Sequence, residues 1–177
     1  YTPSGLVKNT KYYWKVIATD PSGSNTSSIM NFIVPMTPEW SYETGGLVKS
    51  ISVSADGEYI AVGSTDDKVY LFDKDSSTPL WSYSTNGDVD AVAISADGEY
   101  IAVGSDDNKI YFFDKDSSTP LWSYATGGDV VSISISADGE YIAAGSHNDK
   151  VYLFDKDSST PLWSYNTEDA VRSVAIS

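Results

Sequence analysis

The chain has 177 residues, 41% of them apolar and 20% charged, which fits a folded chain and excludes a disordered or collagenous one. Its formal charge is −14, so nucleic-acid phosphate and anionic membrane would both repel it, and a solvated acidic coat, cations or basic partners suit it better. There is no cysteine, hence no disulfide, thiolate metal site or cysteine nucleophile, and no apolar run approaches the roughly 18–20 residues of a membrane span.

In chain order, residues 1–39 carry three Lys against Asp20 and Glu39, a net +1 that leaves −15 on the rest. That asymmetry predicts two modules. Leu6, Thr10, Tyr12, Trp14, Val16 and Ala18 resemble the end of a fibronectin type III domain, which implies one strand with Tyr12, Trp14 and Val16 alternating inward and a last strand over residues 28–34. Asn25-Thr26-Ser27 is the sole glycosylation sequon, in a segment expected to be a loop. Pro35-Met36-Thr37-Pro38 reads as a stiff connection, with residues 36–39 as linker.

From residue 40 the sequence repeats. Trp40, Trp81, Trp122 and Trp163 are each 41 residues apart. Full copies run 40–80, 81–121 and 122–162, and a stub runs 163–177. Each copy predicts four short strands. In the first they are 49–54, 59–64, 68–73 and 80–83, rich in β-branched and aromatic residues. Asp56-Gly57 and Thr65-Asp66-Asp67 mark hairpins, and Asp75 to Pro79 a longer connection. No stretch sustains a 3.6-residue period, so no helix is expected. Four antiparallel strands per 41 residues predict an all-β fold of β-propeller blades, each needing a neighbour to cover its sheet.

Two resemblances attach to these residues. SADGEYIAVGSTDDKVYLFD resembles a WD-type propeller repeat, with Phe72-Asp73 where that family has Trp-Asp. Asp73 eight residues before Trp81 resembles the quinoprotein-type repeat, and the spacing recurs at Asp114 with Trp122 and Asp155 with Trp163. The resemblance implies that these Trp and Asp residues, with Trp40, tie blades together. Residues 1–35 resemble the C-terminal part of a fibronectin type III domain, a partial β-sandwich whose tyrosine corner would be Tyr12. A fibronectin-like module beside an acidic propeller resembles secreted or surface proteins of bacteria and archaea, and implies an extracellular or cell-surface location. Three copies and a stub fall short of a closed ring of four to eight blades, so a segment of a longer chain is expected.

Candidate functional residues come from differences among the copies. The SADGE and KDSSTPL turns are invariant, while the strand four–one and strand two–three loops vary, and in a propeller those share the top face. The candidates there are Lys49, Thr65, Asp66, Asp90, Asp106, Asp107, Val131, His147, Asn148 and Arg172. A diversified binding face and drift in tolerant loops both account for the pattern. His147 is the only histidine, which excludes a multi-histidine metal site within the chain, and no GxSxG elbow or phosphate-binding glycine loop occurs. No catalytic residue, metal ligand or cofactor is assigned. Asp73-Lys74-Asp75 lacks the EF-hand Gly and Glu, so Asp73 is expected to accept backbone hydrogen bonds in its own turn, with a looser calcium site as the open alternative. The expectation is a non-enzymatic structural or interaction module with a protein or cell-surface partner, a second copy of itself included. A quinone-dependent dehydrogenase scaffold and a filament pairing through open blade edges are the rivals.

Overall fold

In a computed structural model, residues 39–177 are described in full, and residues 11–19 and 25–33 by their backbone. The chain divides into two units, Tyr1–Glu39 and Trp40–Ser177. In the first, β1 (Lys11–Thr19) pairs antiparallel with β2 (Asn25–Ile33), from Lys11 opposite Ile33 to Thr19 opposite Asn25. The second strand starts three residues earlier than expected, so Asn25 opens β2 instead of lying in a loop. The inward alternation expected of Tyr12, Trp14 and Val16 lies outside the described side chains.

The second unit is three four-stranded antiparallel sheets with no helix among the described residues. Blade 1 comprises β3 (Val48–Val53), β4 (Tyr59–Ser64), β5 (Lys68–Asp73) and β6 (Trp81–Ser84). Blade 2 comprises β7 (Val89–Ile94), β8 (Tyr100–Ser105), β9 (Lys109–Asp114) and β10 (Trp122–Ala125). Blade 3 comprises β11 (Val130–Ile135), β12 (Tyr141–Ser146), β13 (Lys150–Asp155) and β14 (Trp163–Asn166). Strand order follows sequence order in every sheet. The first strands β3, β7 and β11 lie side by side, so the blades fan outward from them.

The turns explain the strand limits. Ser54 Oγ donates to Asp56 Oδ1 at 2.6 Å, the Glu58 amide donates to the same oxygen, and the Tyr59 amide donates to Ser54 Oγ. Gly57 takes a φ of +76°, which a side chain would resist. At the opposite end Asp67, Asn108 and Asp149 supply the left-handed residue, a role that Asp and Asn fill at low cost.

The core lies between blades. Apolar side chains of blade 1 (Ala61, Val69, Leu71) and blade 2 (Val89, Ile101, Val103, Phe113) form one buried cluster. Blades 2 and 3 form another around Ile110, Phe112, Ile142 and Phe154. Burying one such Phe or Ile is worth about 1.5–3 kcal/mol. Close approach is needed: a Cβ on Gly104 would sit 2.6 Å from the Val130 carbonyl oxygen, and one on Gly63 2.6 Å from Val89.

Each Trp clasps the blade that follows it. Trp40 Nε1–H donates to the Lys74 carbonyl, Trp81 to Lys115 and Trp122 to Lys156, at 2.6–2.7 Å. The rings pack on Phe72, Phe113 and Phe154, with centroids 5.2–5.5 Å apart. Trp163 has no such clasp among the described residues and is 50% exposed. Asp73, Asp114 and Asp155, which the quinoprotein-type resemblance placed between blades, make no hydrogen bond to another blade among the described residues and instead take the local turn role expected of Asp73. Each accepts the amide two residues on, at Asp75, Asp116 and Asp157, and so shapes its own turn. A carboxylate two residues from a free amide closes this ring locally before any neighbour can reach it.

First strands add a second link. Ser50 and Ser52 Oγ accept the Val92 and Ile94 amides at 3.1 and 3.2 Å, and Ser132 and Ser134 accept those of Val174 and Ile176. β7 instead carries Ala91 and Ala93, which join Ile133 and Ile135 in the apolar cluster between blades 2 and 3.

Candidate functional site at the top of the blades

The strand two–three turns and the strand four–one loops lie together at one end of the fan. The Thr65, Asp106 and His147 amides donate to the Leu47, Asp88 and Asp129 carbonyls, each at 2.9 Å. The loops where the copies differ therefore form one surface.

A register shift in each first strand aims a residue into it. The β3–β4 ladder slips between Val48 and Ser50, the β7–β8 ladder between Val89 and Ala91, and the β11–β12 ladder between Val130 and Ser132. The unpaired residues are Lys49, Asp90 and Val131. A β-bulge re-aims its side chain and often sits beside a functional site. Sequence reading found these positions by their variability and missed the bulge, which has no compositional mark in a strand without Gly.

Blades 1 and 2 are joined across the rim by Lys49 Nζ, 3.2 Å from Asp90 Oδ1. The hydrogen bond and the charge of Asp90 raise the Lys49 pKa. Partial desolvation, then the adjoining Asp90 carboxylate and the charges of Asp129 and Asp88, push the Asp106 pKa up to about 6. His147 Nδ1 lies 3.4 Å from Asp129 Oδ2. The rim over blades 1–3 thus gathers Asp88, Asp90, Asp106 and Asp129 with two basic side chains, Lys49 and His147.

The other candidates divide. Thr65 Oγ1 accepts the Leu47 amide, and Asp66 Oδ2 accepts the Gly45 amide and the Tyr70 hydroxyl. Burial opposes the Asp66 charge, but the Tyr70 and Gly45 donors prevail and hold its carboxyl below the usual value. Asp107 accepts the Asn86 and Lys109 amides and the Tyr111 hydroxyl. Asn148 Nδ2 donates to the Thr126 carbonyl and to Tyr152 Oη. These four side chains hold the loops to the turns and face the blade, so they support the rim and do not present it. Val131 occupies the third bulge, and Arg172 is exposed beyond blade 3.

A separate hollow of about 180 Å³ is lined by Trp40, Tyr42, Ile51, Ile60, Val62 and Phe72 on blade 1. The equivalent face of blade 2 is covered by blade 1. The hollow is thus part of a blade-stacking face, unlike the polar rim.

Among the described residues no three His, Asp or Glu side chains converge as a metal site. Trp81 and Trp122 lie between blades, and Trp40 lines the hollow on blade 1.

A family profile described as outer membrane protein assembly factor BamB matches residues 14–177. The match spans all three blades and begins inside β1. No curated protein matches the chain.

Proposed function

The chain belongs to the outer membrane protein assembly factor BamB family of repeat proteins, and from that membership we propose that it is a non-enzymatic protein-interaction module working outside the cytoplasm. The binding surface is the top rim. Its core is Lys49, Asp90, Asp106, Asp129 and His147, and its partner is a protein presenting Lys or Arg side chains. The observation that carries this reading is the coincidence of two independent features. Copies that are invariant at SADGE and KDSSTPL differ at the bulge positions, and those bulges gather charge at one place. A partner cation would offset the desolvation and the neighbouring Asp90, Asp129 and Asp88 charges that raise the Asp106 pKa. The family's name, that of an assembly factor, supports a role in holding other proteins, and its reference to the outer membrane supports the location.

Titrating a short Arg-rich peptide into the isotopically labelled chain tests this directly. Amide shifts should concentrate in residues 65–67, 86–90, 106–108, 127–131 and 147–149, and should weaken with salt. Shifts centred on the SADGE turns, or none in the wild-type chain at low salt, would refute the assignment.

A further inference from the structure

We infer that Asn86–Gly87, in the loop from β6 to β7, is a site of spontaneous deamidation that installs a further carboxylate on the top rim. Of seven Asn residues, only Asn86 precedes a Gly. The reaction needs the Gly87 nitrogen to attack Cγ of Asn86. The amide nitrogen leaves as ammonia and a five-membered succinimide forms. Water then opens the ring at either carbonyl, leaving aspartate or isoaspartate at position 86.

The fold leaves the reacting groups free. Asn86 is exposed and its side chain has no partner among the described residues. Gly87 holds two hydroxyls through its carbonyl oxygen, from Thr85 and Ser105, but its N–H meets no acceptor among the described residues. The three Asp-Gly pairs, which could form the same ring, are guarded. The nitrogens of Gly57, Gly98 and Gly139 donate to the carbonyls of Ser54, Ser95 and Ser136 at 2.9–3.0 Å. Asp56, Asp97 and Asp138 accept a Ser hydroxyl and a Glu amide, which hold each carboxyl ionised and poorly electrophilic. The reactive glycine is also imposed by packing. A Cβ at Gly87 would lie 2.8 Å from the Asp107 amide nitrogen, so only the residue before it is free to vary. Blades 1 and 3 have Gly45 and Gly127 there.

An isoaspartate at position 86 would lengthen the main chain by one carbon beside the amide that Asp107 accepts, and either product would add a negative charge near Asp107 and Asp88. Ageing the folded chain at mildly alkaline pH, followed by digestion and fragmentation mass spectrometry, tests the assignment. The peptide spanning position 86 should gain one mass unit, with isoaspartate in it, while peptides with Asn108 and Asn148 stay unchanged. Asn86→Gly, which copies blade 3, should abolish the gain. In urea the Asp-Gly pairs should form isoaspartate that the folded chain lacks. An unchanged peptide in the folded chain that converts in urea would overturn the inference, as would equal conversion at Asn108 or Asn148.

Discussion

The clasp between blades can be weighed by comparing two chemically identical substitutions. Trp122 Nε1–H donates to the Lys156 carbonyl at 2.7 Å, and the ring lies between Phe112 and Phe154 at 5.0 and 5.3 Å. Trp122→Phe keeps an aromatic ring, removes the donor and leaves a partly buried carbonyl without it. The lost hydrogen bond costs about 0.5–1.5 kcal/mol, and the missing part of the indole removes about another 1 kcal/mol of buried apolar contact. A total near 2 kcal/mol, at a urea dependence of about 2 kcal/mol per molar, lowers the unfolding midpoint by about 1 M. Trp163→Phe removes the same atoms from a residue that is half exposed and unclasped, and should shift stability by less than about 0.5 kcal/mol. Urea titration followed by circular dichroism compares the two without relying on the fluorescence that both substitutions change. Equal midpoints would refute the idea that the bond to the following blade gives these Trp residues their stabilising role.

Three other expectations follow from the same contacts. Gly104→Ala places a methyl 2.6 Å from the Val130 carbonyl oxygen and should lower the midpoint by at least about 2 kcal/mol equivalent, whereas Gly57→Ala, with open space around it and a φ of +76°, should cost about 1 kcal/mol. Thermal unfolding ranks the pair, and the reverse order would refute the close-approach argument. Ser50→Ala with Ser52→Ala converts the seam between blades 1 and 2 into the kind found between blades 2 and 3, and should cost about 1 kcal/mol per bond. Hydrogen exchange should quicken at Val92 and Ile94 first; unchanged protection there would remove these bonds from the account. Asp106 has a folded-state pKa of about 6, above its ordinary value, so the folded chain binds its proton more tightly and stability falls as pH rises from about 4 through 6. Solvent at this exposed residue screens the penalty to about 1 kcal/mol or less. Asp106→Asn should therefore stabilise the chain at pH 7.5 and have little effect at pH 4, and the opposite pH dependence would show that Asp106 ionises unhindered.

Strand positions were legible because three near-copies of one pattern place turn residues at fixed offsets, so a single reading of residues 40–80 serves every blade. The Trp residues were legible as blade-to-blade contacts because their spacing equals the repeat. Asp73, Asp114 and Asp155 share that spacing yet act within their own turns, as the turn residues around Asp73 indicated, since periodicity alone does not say which neighbour a side chain meets. The rim was only partly legible. Variability picked out Lys49, Asp90 and Asp106, but it picked out Asp66, Asp107 and Asn148 equally, and only geometry separates side chains that bind their own loop from those at the mouth. The bulge escaped notice because one extra residue in an antiparallel ladder alters register without altering composition. The freedom of the Gly87 N–H was invisible for a similar reason: it depends on an acceptor that the three Asp-Gly turns supply at the other end of the blades and this loop does not.

Every clasp joins a Trp to a Lys carbonyl 34 residues further along. Because the copies are almost the same, Trp40 would find an equivalent carbonyl at Lys115 after a loop about twice as long. Doubling a loop costs only about 0.6 kcal/mol of closure entropy, too little to enforce the correct neighbour at equilibrium among unfolded chains. Vectorial synthesis supplies the missing discrimination. Lys74 leaves the ribosome 41 residues ahead of Lys115, and each finished blade exposes one waiting indole to one arriving hairpin. Chain growth in time thus resolves an ambiguity of identity, and refolding from denaturant, where all blades arrive together, should be the route on which neighbours are mistaken.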